Sequence, residues 1–302
     1  MSTQDNNGKI DSLLPAEMAL KAESVGVKKA AMGFYTKFAL AVLAGAFIAM
    51  GGVFYTTVVS PTLTSDGAVA MPYGLTRLLG GLVFCLGLVL VIVAGAELFT
   101  GNNLIVMAWA NKKITTRQLL RNWVIVYVGN FVGSVATALL VFISSQYTAG
   151  GGTVGLTALN IANGKVNLGT AQALALGILC NTLVCLAVWL TFSARSTTDK
   201  ILAILFPISA FVAAGFEHCV ANMYFVPLGL FIKSMAPATF WETIGKTAAD
   251  YANLTWGNFL LHNLLPVTIG NIIGGAVLVG AVYWFIYLRA KRSPASPHMP
   301  TA

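Results

Sequence analysis

The chain alternates long apolar runs with short polar ones. The apolar runs cover residues 38–59, 78–111, 123–143, 171–192, 201–232 and 256–288. One straight membrane crossing needs about 20 such residues. The first, third and fourth runs match that length. The second and fifth are long for one span and short for two spans joined by a turn. Each also holds an Ala-Gly-x-Glu stretch near its middle: Ala94-Gly95-Ala96-Glu97 and Ala214-Gly215-Phe216-Glu217. The pattern predicts helices that break at these stretches and then resume. Pro266 predicts a kink in the sixth run.

The polar intervals complete the outline. Residues 1–12 have a disordered composition, and 15 to about 31 suit a short helix with Pro15 in its first turn. Residues 60–76 read as a loop. Residues 144–170 are rich in Gly, Ser, Thr and Asn and read as a linker between two halves, and 233–256 read as a mixed loop.

Composition agrees with a membrane protein. Of 302 residues, 57% are apolar and 9% are charged, against about 25% charged in a soluble domain. Mean hydropathy is +0.79. The net charge of +8 would suit a nucleic-acid partner, but the basic residues lie between apolar spans. Residues 1–35 carry no apolar run of signal-peptide type. Cys85, Cys180, Cys185 and Cys219 sit inside apolar runs without a CxxC pair and read as small core residues. Fourteen Lys and Arg fall on the side of the termini and four (Arg77, Lys165, Lys233, Lys246) on the other. That asymmetry predicts both termini in the cytoplasm, with six crossings.

Two matches relate the halves. Glu97 and Asn102 recur at one offset as Glu217 and Asn222, and Gly129-Asn130-x-x-Gly133 recurs as Gly270-Asn271-x-x-Gly274. The expected fold is therefore an all-α membrane protein whose six helices form two three-helix repeats, with the second and fifth helices broken. Three crossings is an odd number, so the repeats must be inverted. Paired broken helices in inverted repeats point to a site near the bilayer midplane. Residues 1–35 are then a cytoplasmic segment, expected to regulate through its part up to about Ala31, and 36–288 the membrane domain, with repeats of about 36–145 and 171–288. Residues 289–302 are a cytoplasmic tail.

The only acidic or basic side chains in 201–232 are Glu217 and His218. Ionisable groups at membrane depth are costly and mark functional sites. Glu97 and Glu217, at matched breaks, read as braces that accept bonds from loop amides. The repeats differ beside them: His218 corresponds to Leu98, and Val220 to Thr100. A His and a Thr from opposite halves can then meet at the centre, unless His218 is simply a satisfied core residue. Glu217, His218 and Cys219 are adjacent and point apart, so they do not suit a metal. No second catalytic group accompanies His218, which disfavours a membrane enzyme.

Three stretches together resemble the formate/nitrite transporter family: Gly95–Thr100, Gly215–Met223 and Pro266–Gly275. The resemblance extends over nearly the whole chain. It implies an aquaporin-like protomer in a homopentamer in the bacterial inner membrane, with one pore per protomer for formate and related small monovalent anions. It implies no cofactor and no metal. It places His218, Thr100 and Asn271 at the pore centre and Phe84, Leu88, Leu98 and Phe211 at apolar constrictions. Glu97, Asn102, Glu217 and Asn222 would hold the broken-helix loops, and Lys165 and Asn181 would draw anions in. Nitrite, hydrosulfide and neutral solutes are the alternative cargoes. Glu97 departs from the Asp of a formate channel of the family, keeping the charge on a longer arm. An anion loses its hydration in such a constriction. Either hydrogen-bond donors replace the water, or His218, with a reference pKa of about 6.5, supplies a proton.

Overall fold

The structure, a computed structural model, describes residues 11–61 and 71–289. These residues are all helix, turn and loop, without a strand. Most of the stretch expected to be disordered, nine residues of the 60–76 loop, and the tail beyond Arg289 lie outside them. Asp11 does fall inside, and its carbonyl accepts a bond from Arg195 Nε at 2.7 Å.

A short helix α1 (Pro15–Ala31) leads into α2 (Phe34–Val59). Helix α3 (Tyr73–Val89) widens into a π-helical turn, Leu90–Gly95. After a non-helical gap, a 3-10 turn (Gly101–Ile105) and α4 (Val106–Ala110) follow. Helix α5 (Thr116–Ile143) closes the first half. Then come α6 (Thr153–Val166), α7 (Thr170–Ser193), α8 (Thr197–Ala214), α9 (Cys219–Met235) and α10 (Ala238–Ile244). The last unit runs from α11 (Trp256–Asn258) through a π-helical Phe259–Leu264 into α12 (Leu265–Ile272) and further π-helical turns to Leu288.

Six of these units are long and apolar enough to cross a membrane: Phe34–Val59, Tyr73–Gly95, Thr116–Ile143, Thr170–Ser193, Thr197–Ala214 and Ala248–Leu288. Helix α9 differs from them. It is buried from Cys219 to Leu230, which suits a helix that is apolar on every side and enclosed by others. It meets α10 at a bend of 111°.

Small residues set the packing. Helix α5 crosses α2 where Gly133 meets the Val42 carbonyl, and the π-helical stretch Ile273–Ala281 that follows α12 crosses α7 where Gly274 meets the Ile178 carbonyl. A Cβ at either glycine would overlap backbone, so only glycine lets these helices approach so closely. Phe, Leu and Val cover the outer faces, exposed as lipid contact requires.

The structure departs from the sequence outline in three places. The segment read as a linker folds into α6, which packs against α9. Its Val154, Ala158, Leu159, Ala162 and Val166 form one buried stripe that the intervening Gly and Asn obscure in composition. The mixed loop contains α10 and a 3-10 turn at Ala248–Tyr251. Pro266 sits in the first turn of α12, after the wider π-helical turn, where its missing N–H costs little.

Candidate functional site: a histidine between two broken segments

Both long apolar runs lose their helical hydrogen bonding at a glycine with positive φ. Gly95 has φ +86° and Gly215 has φ +77°. A side chain there would be strained, so glycine ends each helix and turns the chain. The residues that follow are extended, and each loop is tied to the helix beside it. The Glu97 amide donates to Leu40 O at 3.1 Å, and the Glu217 amide to Leu176 O at 3.3 Å.

An asparagine then clasps each loop. Asn130 Oδ1 accepts from the Phe99 amide at 2.9 Å, while its Nδ2 donates to Glu97 O and Ala41 O. Asn271 Oδ1 accepts from the Cys219 amide at 2.9 Å, while its Nδ2 donates to Glu217 O and Gly177 O. Each asparagine supplies the backbone partners that the broken helix gives up.

The glutamates anchor matched networks. Lys29 Nζ lies 2.7 Å from Glu97 Oε1, and Lys165 Nζ 2.7 Å from Glu217 Oε1. Asn102 Nδ2 donates to Glu97 Oε2 and Asn122 Oδ1; Asn222 Nδ2 donates to Glu217 Oε2 and Asn263 Oδ1. Asn122 and Asn263 donate in turn to the carbonyls of Lys29 and Lys165. A carboxylate buried at this depth is tolerable because a cation and amide donors surround it.

His218 caps helix α9. Its Nδ1 accepts the Ala221 amide proton at 3.0 Å. The neutral ring therefore carries its proton on Nε2, which lies 2.9 Å from Thr100 Oγ1. Phe211 stacks alongside, 5.9 Å between ring centroids.

Two open cavities flank this pair. One, of about 420 Å³, is bordered by Lys21, Lys29, Glu97 and Lys200 and reaches in to Leu88 and Leu98. The other, of about 410 Å³, is bordered by Arg77, Lys165 and Glu217 and reaches in to Phe84, Phe211 and His218. A small internal cavity of about 10 Å³ is lined by the inner residues of both: Phe84, Leu88, Leu98, Phe211 and His218. That is space for roughly one water, but a water needs two to four polar partners. His218 is the only polar side chain on that lining.

The structure thus brings His218 to Thr100 and gathers Phe84, Leu88, Leu98 and Phe211 around the small cavity. Lys165 faces the second cavity. Asn271 stands behind the His218 loop, with its side chain committed to backbone. Asn181 borders neither large cavity; its Nδ2 donates to Asn271 O, Asn103 Oδ1 and Thr100 O. Sequence reasoning gave no site role to Lys29, Arg77, Asn122, Asn263 or Asn130, although Asn130 matched Asn271 between the halves. A signal existed for three of them: Asn122, Asn130 and Asn263 are isolated amides in or beside apolar spans.

The formate/nitrite transporter family model matches residues 16–285. The chain belongs to the formate/nitrite transporter family. It is 47% identical to the formate channel FocA of Escherichia coli (strain K12), over 92% of this chain and 96% of that one. It is 43% identical to the formate channel FocA of Haemophilus influenzae, over 91% and 95%. Among solved structures, a pentameric formate channel with formate bound is similar at a TM-score of 0.79 and 49% identity, covering 85% of this chain and 98% of that chain. With this membership, the chain is a multi-pass membrane protein of a transporter family.

Proposed function

We propose that this protein is a channel for formate and related small monovalent anions, and not an enzyme. The observation that carries the reading is the narrow apolar gap between two open cavities, where the Nε2–H of His218 is the one side-chain donor on the lining. The formate channels among its relatives support the cargo.

The physics follows from that gap. An anion moving from either cavity meets Leu88 and Leu98 on one side or Phe84 and Phe211 on the other. It must shed water there, and an unpaired charge in an apolar setting costs several kcal/mol or more. Turning from Thr100 to the anion, His218 Nε2–H replaces one lost hydrogen bond, and a bond to a charged group contributes about 1.5–3 kcal/mol.

The tautomer favours hydrogen bonding over proton transfer. His218 Nδ1 is occupied by the Ala221 amide, so a doubly protonated ring would push that N–H away and uncap α9. A neutral ring that gave up its Nε2 proton would become an anion itself. Donation without transfer avoids both.

The matched networks support two inverted three-helix repeats with broken second and fifth helices. The pentameric relative supports a homopentamer. The Lys and Arg asymmetry supports cytoplasmic termini in an inner membrane. Helix α1 is docked against the 3-10 turn and α4, which suits a segment acting on the pore. In this reading Asn181 and Asn271 hold the loops, and Lys165 assists anion entry.

The test is release of preloaded formate from liposomes holding the purified protein, without ATP or metal. Nitrite, hydrosulfide and glycerol run in parallel. Formate release well above empty liposomes is expected; release equal to empty liposomes removes the proposal.

A further inference from the structure

We propose that Arg77 is the residue that first captures a carboxylate in the second cavity, through N–H groups its structural bonds leave free. The inference rests on the channel reading above. Arg77 projects from α3 to the end of α8. Its Nε donates to Ala213 O at 2.9 Å, its Nη2 to Val212 O at 2.6 Å, and its Nη1 to Tyr55 Oη at 2.7 Å. The two carbonyls are at the C-terminal end of a helix, where the dipole favours a cation. Gly215 leaves room: a Cβ there would come within 3.1 Å of Nη2.

A guanidinium has five N–H donors. Three are used, which leaves one on Nη1 and one on Nη2 without a partner among the described residues. Among the described residues the charge also has no carboxylate partner. Two ion pairs occur among the described residues, Lys29–Glu97 and Lys165–Glu217. Lys165 therefore enters the second cavity already paired with a carboxylate, whereas Arg77 borders it without one. A planar guanidinium held by three bonds, with donors and charge to spare, suits a small planar carboxylate better than a flexible ammonium does. The bonds that fix Arg77 to α8 also set it beside the loop that carries Glu217 and His218, so capture and delivery share one support.

The test is initial formate flux against formate concentration in proteoliposomes of the full chain, at low and high salt. Arg77→Gln removes the charge. It should raise the half-saturating concentration about three- to tenfold, the effect of one partly screened charge contact, with a maximal rate within about twofold of wild type. Arg77→Lys keeps the charge and loses the fork, and should fall between the two. High salt should raise the wild-type value and leave Arg77→Gln nearly unchanged. A wild-type half-saturation in Arg77→Gln, or a loss of maximal rate alone, would overturn the assignment and leave Arg77 a staple. Should Arg77→Gln fail to assemble, Tyr55→Phe decides. It keeps the charge and frees another N–H, so half-saturation should hold or fall; a rise overturns the proposal. Wild-type flux equal to empty liposomes would instead sink the channel reading itself.

Discussion

The Glu97 network and the Glu217 network repeat the same ion pair and the same run of asparagine bonds, yet they are not identical. In the first, Lys29 Nζ reaches both Glu97 Oε1 and Asn102 Oδ1, at 2.7 and 2.9 Å. In the second, Lys165 Nζ reaches Glu217 Oε1 alone and lies 5.6 Å from the centre of the Phe225 ring. Asn222 Oδ1, the counterpart of Asn102 Oδ1, has no partner among the described residues. Beside the first glutamate stands Leu98; beside the second stands His218. The comparison separates frame from chemistry. The bonds present in both networks tie the loops, and Leu98 and His218, where the networks differ, line the small cavity between the two large ones.

The shared bonds should matter most to folding. Glu217→Gln leaves Lys165 without its carboxylate, and Glu97→Gln does the same to Lys29. Breaking one side of a buried ion pair costs about 3–5 kcal/mol. Both variants should therefore lose thermal stability or oligomer yield, measured by size-exclusion and melting in detergent, at least as much as flux per folded protomer. If Glu217→Gln assembled with wild-type stability and carried no formate, Glu217 would belong to the transport chemistry and the separation would fail.

The unshared positions should matter most to transport. His218→Phe removes the only side-chain donor on the lining of the gap. Losing a bond of about 1.5–3 kcal/mol to an anion corresponds to roughly 10- to 100-fold less formate flux. A neutral solute of similar size should pass as well as before. His218→Asn keeps a neutral donor and should retain part of the flux. Each variant is first checked for assembly, because His218 also caps α9. Wild-type formate flux in His218→Phe would make His218 a cap and nothing more.

Much of this arrangement was legible in the chain because lipid forces it to be. Backbone cannot lie unpaired at membrane depth, so the apolar runs mark the spans and Gly-x-Glu inside them marks the interruptions. The contrast of His218 with Leu98 and Thr100 with Val220 needed only alignment of the halves. What escaped depends on approach in three dimensions. Lys29 is a surface charge until α1 docks and brings it to Glu97. Helix α6 hides in a Gly- and Asn-rich stretch because its apolar stripe is narrow. Asn181 looks like an exposed polar group, whereas the contact of α7 with α12 buries it. Arg77 is an ordinary interfacial cation until the end of α8 is found against its side chain.

The smallest expected effect is the difference between the two lysines, and it tests the comparison most finely. Glu97 keeps one side-chain donor, Asn102, once Lys29 is gone, and Asn102 Oδ1 then loses its own partner as well. Glu217 keeps two, Asn222 at 2.7 Å and Asn263 at 3.1 Å, once Lys165 is gone. No new orphan arises there, because Asn222 Oδ1 is already without a partner among the described residues. Each removal uncovers a buried carboxylate, but Lys29→Met uncovers it further and adds an unsatisfied oxygen worth about 1–3 kcal/mol. Lys29→Met should therefore melt a few degrees below Lys165→Met. The flux order should be the opposite, because Lys165 has N–H groups to offer the second cavity while Lys29 has two of its three committed. Melting curves and formate uptake on the same preparations measure both orders. Equal melting points with equal flux would mean that the missing Lys165–Asn222 bond has no consequence, and that the two networks are one device used twice.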